Sequence, residues 1–401
     1  MILQLALGIV TAIGGFIDVG AIATTALAGA LFGYQLVWAV LVGTLCVILL
    51  TEMCGRLAAV SHHTLADAVR ERLGIRYFAV PLFLEVVVDT MVLAAEIGGV
   101  AIALHLATGI DYRVFVIPAA LALWSVLWFG NFSVVENGVA FLGLVAVSFV
   151  FGMWEMRPEW GDVARAAIPS LPSRDAAQYW FLAISIVGSV LQPFLLNFYA
   201  SGAVEEKWKI KDLWMNRTVA VFGMSFGSLI AVGILVLAAV VIGPRGMHVD
   251  SFEQAVFTLV APFGEWGLSL FVASLAVACF GAGADLSLNL AYLVSQGFGW
   301  NWSENLKPHE DARFALVYSF AILLAAAVVM FADPLKLTMV TMALNGAVAP
   351  FIVFPLLIVM NDKAYLRDQT NGLLTNVLTS VVILIAFVIA IVAIPLEVLG
   401  G

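Results

Sequence analysis

Charge is what this sequence has least of. Only 11% of its 401 residues are Asp, Glu, Lys or Arg, where a soluble chain carries about a quarter. Histidine and cysteine are scarce too, at five and three. Cys46, Cys54 and Cys279 lie inside apolar runs with no CxxC pair, so they read as small buried packers rather than a disulfide scaffold or thiolate metal site. There is no Walker motif, no dinucleotide-binding glycine fingerprint and no stretch polar and long enough for an extramembrane domain. ATP-driven work by this chain alone is therefore not expected, and neither is nucleic-acid binding.

What remains is apolar. The composition is 63% hydrophobic with a mean hydropathy of +1.06. Apolar runs of about 20 residues, enough to cross about 30 Å of hydrocarbon, recur along the whole length. Backbone groups must be satisfied internally there, so each run predicts a helix. Eleven spans are expected, at 3–31, 34–58, 78–107, 112–130, 134–155, 179–204, 217–243, 264–298, 313–331, 335–361 and 371–398. The first run opens at Met1 and reads as the first span, not as a separate signal peptide. The segment 59–77 reads as a short interfacial helix, and 156–178 as a polar connection rich in Pro, Arg and Trp. With the N-terminus cytoplasmic, twelve of the eighteen Lys and Arg residues fall in inner loops, which favours N-in and C-out in a multi-pass cell-membrane protein.

Two spans are interrupted at corresponding places. Span 1 breaks at Asp18-Val19-Gly20-Ala21, and span 6, the first of a second set of five, breaks at Gln192-Pro193. Paired interruptions point to an inverted-repeat transporter with a site at the bilayer midplane. The expected architecture is an all-α polytopic membrane protein formed as one domain, 1–401. It has a 5+5 inverted repeat (1–155 and 179–361), broken helices 1 and 6, and an added C-terminal helix at 371–398.

Carboxylates inside the apolar runs carry the chemistry. Asp18, Glu52, Glu85, Asp89, Glu96, Glu136 and Asp285 all lie within or near the ends of spans. Only Arg56, one helical turn from Glu52, is in place to pair with any of them. Uncompensated acids at that depth face a cavity, an ion or a proton path, and their excess predicts a cation as passenger. Asp18 sits beside Gly20, where unwound carbonyls could join its carboxylate; the plainer reading is a helix cap. Glu85, Asp89 and Glu96 share one face of span 3, as a polar cavity wall or proton route or, for the first two, as interfacial groups. Asp285 and Asn289 stand one turn apart in span 8, for function or for interhelical hydrogen bonding. Gly223-Met224-Ser225-Phe226-Gly227 matches GxSxG but lies inside an apolar helix, without the strand-turn-helix context that motif needs. His62-His63 is a loop pair with no third ligand in view.

These residues resemble the NRAMP family of divalent-metal transporters over nearly the full chain. GGFIDVGAIATTALAGALFGYQLVWAVLV (14–42) looks like the family's first helix, with Asp18-Val19-Gly20-Ala21 in place of Asp-Pro-Gly-Asn. AAEIGGVAIAL (94–104), VGSVLQPFLLNFYAS (187–201) and NGAVAPFIVFPLL (345–357) are similar to its third, sixth and tenth helices. The resemblance implies the fold of the sodium-coupled amino-acid (LeuT-like) transporters. It also implies a metal site at Asp18, at Ala21 in place of Asn, at Gln192 in place of Met, and at the Ser189 carbonyl. A tenth-helix Gln falls at Met342. The third-helix Glu is kept as Glu96, whereas the acid three residues before it is Leu93, and the sixth-helix histidines become Phe194 and Tyr199.

A thioether selects softer metals, so its replacement by Gln192 predicts an oxygen-lined site without a soft ligand. Loss of the acid and the histidines removes the expected proton relay. Both changes resemble the magnesium-transporting branch related to the family. The leading expectation is therefore a non-enzymatic, cofactor-free secondary transporter. It would move Mg²⁺, and also Mn²⁺, by alternating access without obligatory proton coupling. The alternative is a proton-coupled Mn²⁺/Fe²⁺ transporter using Glu96 and Asp285. A further reading keeps the fold but moves an amino acid. The expected partners are the divalent ion and the lipid bilayer, with no obligate protein partner.

Overall fold

The computed structural model describes residues 18–130, 143–172, 175–246 and 251–400. Among these residues every regular element is helical. In chain order they are α1 (Val19–Phe32), α2 (Val37–Ser61), α3 (Leu65–Leu73), α4 (Ile75–Thr108), α5 (Arg113–Phe129), α6 (Ser148–Glu155), α7 (Trp160–Arg165), α8 (Ala176–Val190) and α9 (Pro193–Glu205). They continue with α10 (Leu213–Val241), α11 (Phe252–Ala255), α12 (Phe257–Phe263), α13 (Glu265–Phe298), α14 (Ala312–Phe331), α15 (Pro334–Met360), α16 (Lys363–Leu366) and α17 (Leu373–Gly400). The described residues contain seven helical stretches long and apolar enough to cross a membrane. The half of span 1 before Asp18, and the start of span 5 with Glu136, lie outside the described residues.

Local chemistry sets the helix ends. Asp18, Thr64, Asp175, Asp311 and Asp333 each cap a helix N-terminus through the side chain, satisfying an N–H that the first turn leaves without a partner. Pro193 and Pro334 occupy first helical positions, where a missing N–H costs nothing. The two longest helices, α4 and α13, end on Gly109 and Gly299 at φ 74° and 68°, a left-handed conformation that glycine adopts without strain.

Two connections carry more structure than their sequences suggest. The polar stretch 156–178 includes α7, and the stretch between spans 7 and 8 folds into α11 and α12. All three new elements are too short to show a helical period. The interfacial helix expected within 59–77 is α3, and α4 already begins at Ile75.

The core of the bundle is built by close approach. α4 packs along α13, α14 and α15, α1 lies against α10, and α8 crosses both α1 and α15. Small residues permit these crossings. A methyl added at Gly29 would fall 2.1 Å from the Leu235 carbonyl oxygen, and one at Gly188 would fall 2.0 Å from that of Met342. Large apolar side chains such as Phe129, Leu316, Phe320 and Phe331 point outward, an apolar exterior suited to lipid. Polar clamps join the ends of the helices. Arg56 pairs with Glu52 at 3.2 Å and donates to the Gln369 carbonyl at 2.6 Å and Asn371 Oδ1 at 2.8 Å. Arg72 meets Asp362 at 2.5 Å; the backbone N–H of Ala364, with Arg72, holds the Asp362 carboxyl below its usual range.

Gly29→Ala should therefore lower the thermal midpoint in detergent, at a cost of about 1–3 kcal/mol for forcing α1 off α10. Gly202→Ala in α9, where a methyl meets nothing within 4 Å, should leave the midpoint unchanged or raise it. Equal midpoints for the two variants would contradict the close-packed reading.

Candidate functional site

The break between α8 and α9 meets the start of α1. α8 stops at Val190, Leu191 and Gln192 are non-helical, and α9 restarts at Pro193. Across from this gap, Asp18 stands in extended conformation immediately before α1. Its Oδ1 accepts from the Ala21 N–H at 2.6 Å, and its Oδ2 accepts from Gln192 Nε2 at 2.6 Å. The same Gln192 nitrogen donates to the Ser189 carbonyl at 2.7 Å. Asp18, Ser189 and Gln192, three of the four residues that the resemblance implies as ligands, are thus joined by one amide group.

Ala21 enters differently. It contributes its N–H, and its carbonyl accepts the Thr25 hydroxyl at 2.5 Å, so it offers Asp18 a donor rather than a ligand oxygen. Thr24, which the sequence reading did not single out, fastens the break. Its hydroxyl donates to the Gly20 carbonyl at 2.7 Å and lies 3.4 Å from Ser189 Oγ.

Two neighbours change the chemistry expected here. Glu96 Oε2 accepts the Val19 N–H at 3.3 Å, which places a second buried carboxylate at the same positively polarised helix end as Asp18. A methyl added at Gly99, three residues beyond Glu96 in α4, would sit 2.4 Å from the Cys279 sulfur, so this cysteine packs close beside the same stretch of α4. A thioether nonetheless stands beside the expected oxygen-lined site. The Met342 thioether packs on Gly20, where an added methyl would sit 2.2 Å from its sulfur, and Asn345 Nδ2 lies 3.9 Å from that sulfur. A thioether has returned to the break from α15 rather than from α9. Three buried oxygens around this point have no hydrogen-bond partner: Gln192 Oε1, Glu96 Oε1 and Asn345 Oδ1.

A second polar cluster lies farther along α4. Glu85 accepts from Asn197 of α9, and Asp89 accepts from Asn289 of α13 at 2.9 Å. All four side chains are buried. Glu85 and Asp89 are therefore each engaged by an amide from another helix, and Asn289 does make the interhelical hydrogen bond anticipated as one of its two readings. Asp285, one turn before Asn289, is half-buried and makes an interaction of its own; it is not among the residues gathered at Asp18. Glu52 belongs to neither cluster. It is held by Arg56 and by Arg217 at 3.5 Å, as a structural ion pair. Among the described residues no group of three or more His, Cys, Asp or Glu side chains forms a metal cage. A cation at the break would therefore rely on amide and carbonyl oxygens and the thioether beside the carboxylates.

Thr24 and Asn345 escaped the sequence reading. Asn345 carried a signal, as a polar residue deep in an apolar run.

Known proteins share both sequence and fold with this chain. The profile of the family described as Nramp, natural resistance-associated macrophage protein-like, matches residues 8–395. A divalent metal cation transporter MntH from Agrobacterium fabrum is 29% identical over 399 residues, covering 94% of this chain and 83% of its own. The protein of that name from Brucella suis is 29% identical over 371 residues, covering 87% and 78%. The crystal structure of the Eremococcus coleocola manganese transporter superposes with a TM-score of 0.78 at 19% identity, over 97% of this chain and 85% of that one. The nucleobase-cation-symport transporter Mhp1 superposes with a TM-score of 0.60 at 14% identity, over 97% and 91%. With a profile match spanning almost its entire length, this chain belongs to the Nramp family.

Proposed function

We propose that the chain is a secondary transporter that moves a divalent transition-metal cation, Mn²⁺ or Fe²⁺, across the cell membrane by alternating access. The observation that carries this reading is the pair of buried carboxylates, Asp18 and Glu96, converging on one helix end. Among the described residues, no ion pair with Lys, Arg or His engages either of them. A divalent cation supplies the missing charge. The relatives named divalent metal cation transporters support the same class of cargo.

The Met342 sulfur narrows the class. A thioether is a poor ligand for Mg²⁺ and Ca²⁺, which take oxygen, and a better one for transition metals. Gln192 would act as a switchable ligand. Its N–H groups now hold Asp18 and the Ser189 carbonyl. Turning the amide about its last side-chain bond presents Oε1 instead and frees both acceptors for a cation. Glu96, with one oxygen unpartnered and one on the Val19 N–H, is placed to exchange a proton as the metal arrives and departs. The N-terminus would be cytoplasmic, on the charge count.

The hard-cation reading keeps one observation in its favour. Gln192, Ser189 and Asp18 all offer oxygen, and Mg²⁺ is usually held through one or two carboxylates with several waters retained. Selectivity decides between the two.

In proteoliposomes with a pH dye inside, Mn²⁺ should enter with acidification, and Asp18→Ala should reduce uptake by about tenfold or more, the scale of one lost charged ligand. Mg²⁺ entry without a pH change would replace this reading by the hard-cation one. Unimpaired uptake by Asp18→Ala would remove the site altogether.

Met342→Leu should lower Mn²⁺ uptake relative to Mg²⁺, and Gln192→Met should raise that ratio. Competition assays with both ions on each variant would measure it. An unchanged ratio in both variants would show that sulfur plays no part in selection.

A further inference from the structure

One concavity lies away from Asp18 and Gln192. It is a groove of about 420 Å³ on the outer face of the bundle, between α4, α13 and α14. Its walls include Thr90, Leu316, Phe320 and Leu324, and its mouth is formed by Trp300 and Arg313. Leu316 and Phe320 are about two-thirds exposed, at 63% and 66%, so the groove opens to whatever surrounds the protein.

Its dimensions and polarity identify an occupant. Arg313 lies in the first turn of α14 and Leu324 eleven residues further on. At about 1.5 Å per residue this separation is roughly 16 Å, close to half of a hydrocarbon layer about 30 Å thick. The groove thus spans one leaflet, from the interface to the midplane, as a single acyl chain does. At the interfacial end the Arg313 guanidinium lies over the Trp300 ring, 5.3 Å from its centroid. Trp at that level is a typical interfacial anchor. A guanidinium held against a ring in this way keeps N–H donors for an oxyanion such as a phosphodiester. Among the described residues no ion pair engages Arg313.

We propose that this groove is a binding site for one anionic phospholipid, with an acyl chain along α14 and its phosphate on Arg313. The position gives the lipid a role in holding the bundle together. Thr90 and Leu290 both line the groove, and each follows directly on a member of the buried Asp89–Asn289 hydrogen bond between α4 and α13. A bound chain seals that seam on its lipid side and braces three helices at once. The inference does not depend on the identity of the transported ion.

The test uses the full chain in detergent, stripped of co-purified lipid. Phosphatidylglycerol and phosphatidylcholine are titrated separately, and bound lipid is counted by native mass spectrometry alongside the thermal midpoint. Phosphatidylglycerol should bind one per chain and raise the midpoint by several degrees more than phosphatidylcholine. Arg313→Gln should weaken phosphatidylglycerol binding about tenfold, the scale of one charge-assisted contact, and abolish the preference. Leu324→Trp, which fills the groove from its exposed wall, should reduce binding of both lipids. Arg367→Gln, an exposed arginine elsewhere, should retain the preference and shows that the loss is specific to the groove. Glycerophosphoglycerol, the headgroup without chains, should leave the midpoint unmoved. Equal binding of both lipids by the wild-type chain, an unchanged preference in Arg313→Gln, or stabilisation by the headgroup alone would each overturn the proposal.

Discussion

The arrangement depends on a single contact, the hydrogen bond between Gln192 and Asp18. Asp18 sits where α1 begins and Gln192 where α8 has stopped, and each helix end exposes backbone groups that lipid cannot satisfy. Placing these ends against each other solves both problems. Asp18 caps α1 and receives the Gln192 amide; the same amide closes the Ser189 carbonyl left open by the end of α8. The remaining helices hold these two points together. α8 crosses α1 and α15 closely enough that Gly188 lies against the Met342 backbone, and this crossing also sets the Met342 side chain beside Gly20. Packing and ligand geometry are therefore one arrangement, since a bulkier residue at Gly188 would displace the sulfur as well as the helix.

Most of the fold was legible in the sequence because a bilayer leaves few options. Long apolar runs must be helices, and interruptions in two of them, at Asp18 and at Gln192-Pro193, mark where backbone can be irregular. Capping residues then place several helix ends. What could not be read was which faces meet. The resemblance already places Met342 at a tenth-helix position of the site, yet the substitution of a family methionine by Gln192 suggests a site with no sulfur; that the Met342 thioether packs on Gly20 shows only in the structure. Spacing along one helix says nothing of what crosses it. Glu85 and Asp89 illustrate the same limit. Their shared face was evident from the i, i+4 interval, whereas their partners Asn197 and Asn289 come from helices more than a hundred residues away. The short helices α7, α11 and α12 were missed for a different reason: four to seven residues do not display a period.

The distribution of polar groups also separates structure from chemistry. Glu52 and Arg56 are close to ideal partners, one turn apart with further hydrogen bonds, and such a fully engaged pair has nothing left to offer a substrate. Asp18, Glu96 and Gln192 are buried as deeply, yet Glu96 and Gln192 each retain an oxygen without a partner. Buried polar atoms are ordinarily satisfied. Where several that are not lie together, the protein has kept interaction capacity in reserve, here around Asp18 and again at Glu85, Asp89 and Asn289.

The Arg56 cluster has a consequence for biosynthesis. Its guanidinium is buried and bonds to the Gln369 carbonyl, 313 positions later in the chain. At about 5–20 residues per second, those partners leave the ribosome roughly 15–60 s after α2. Through that interval Glu52, already on the same helix, is the counter-charge that lets α2 wait in the membrane. Assembly of this carrier is completed only when the last connection arrives to close over Arg56, so translation itself sets the order in which the bundle locks.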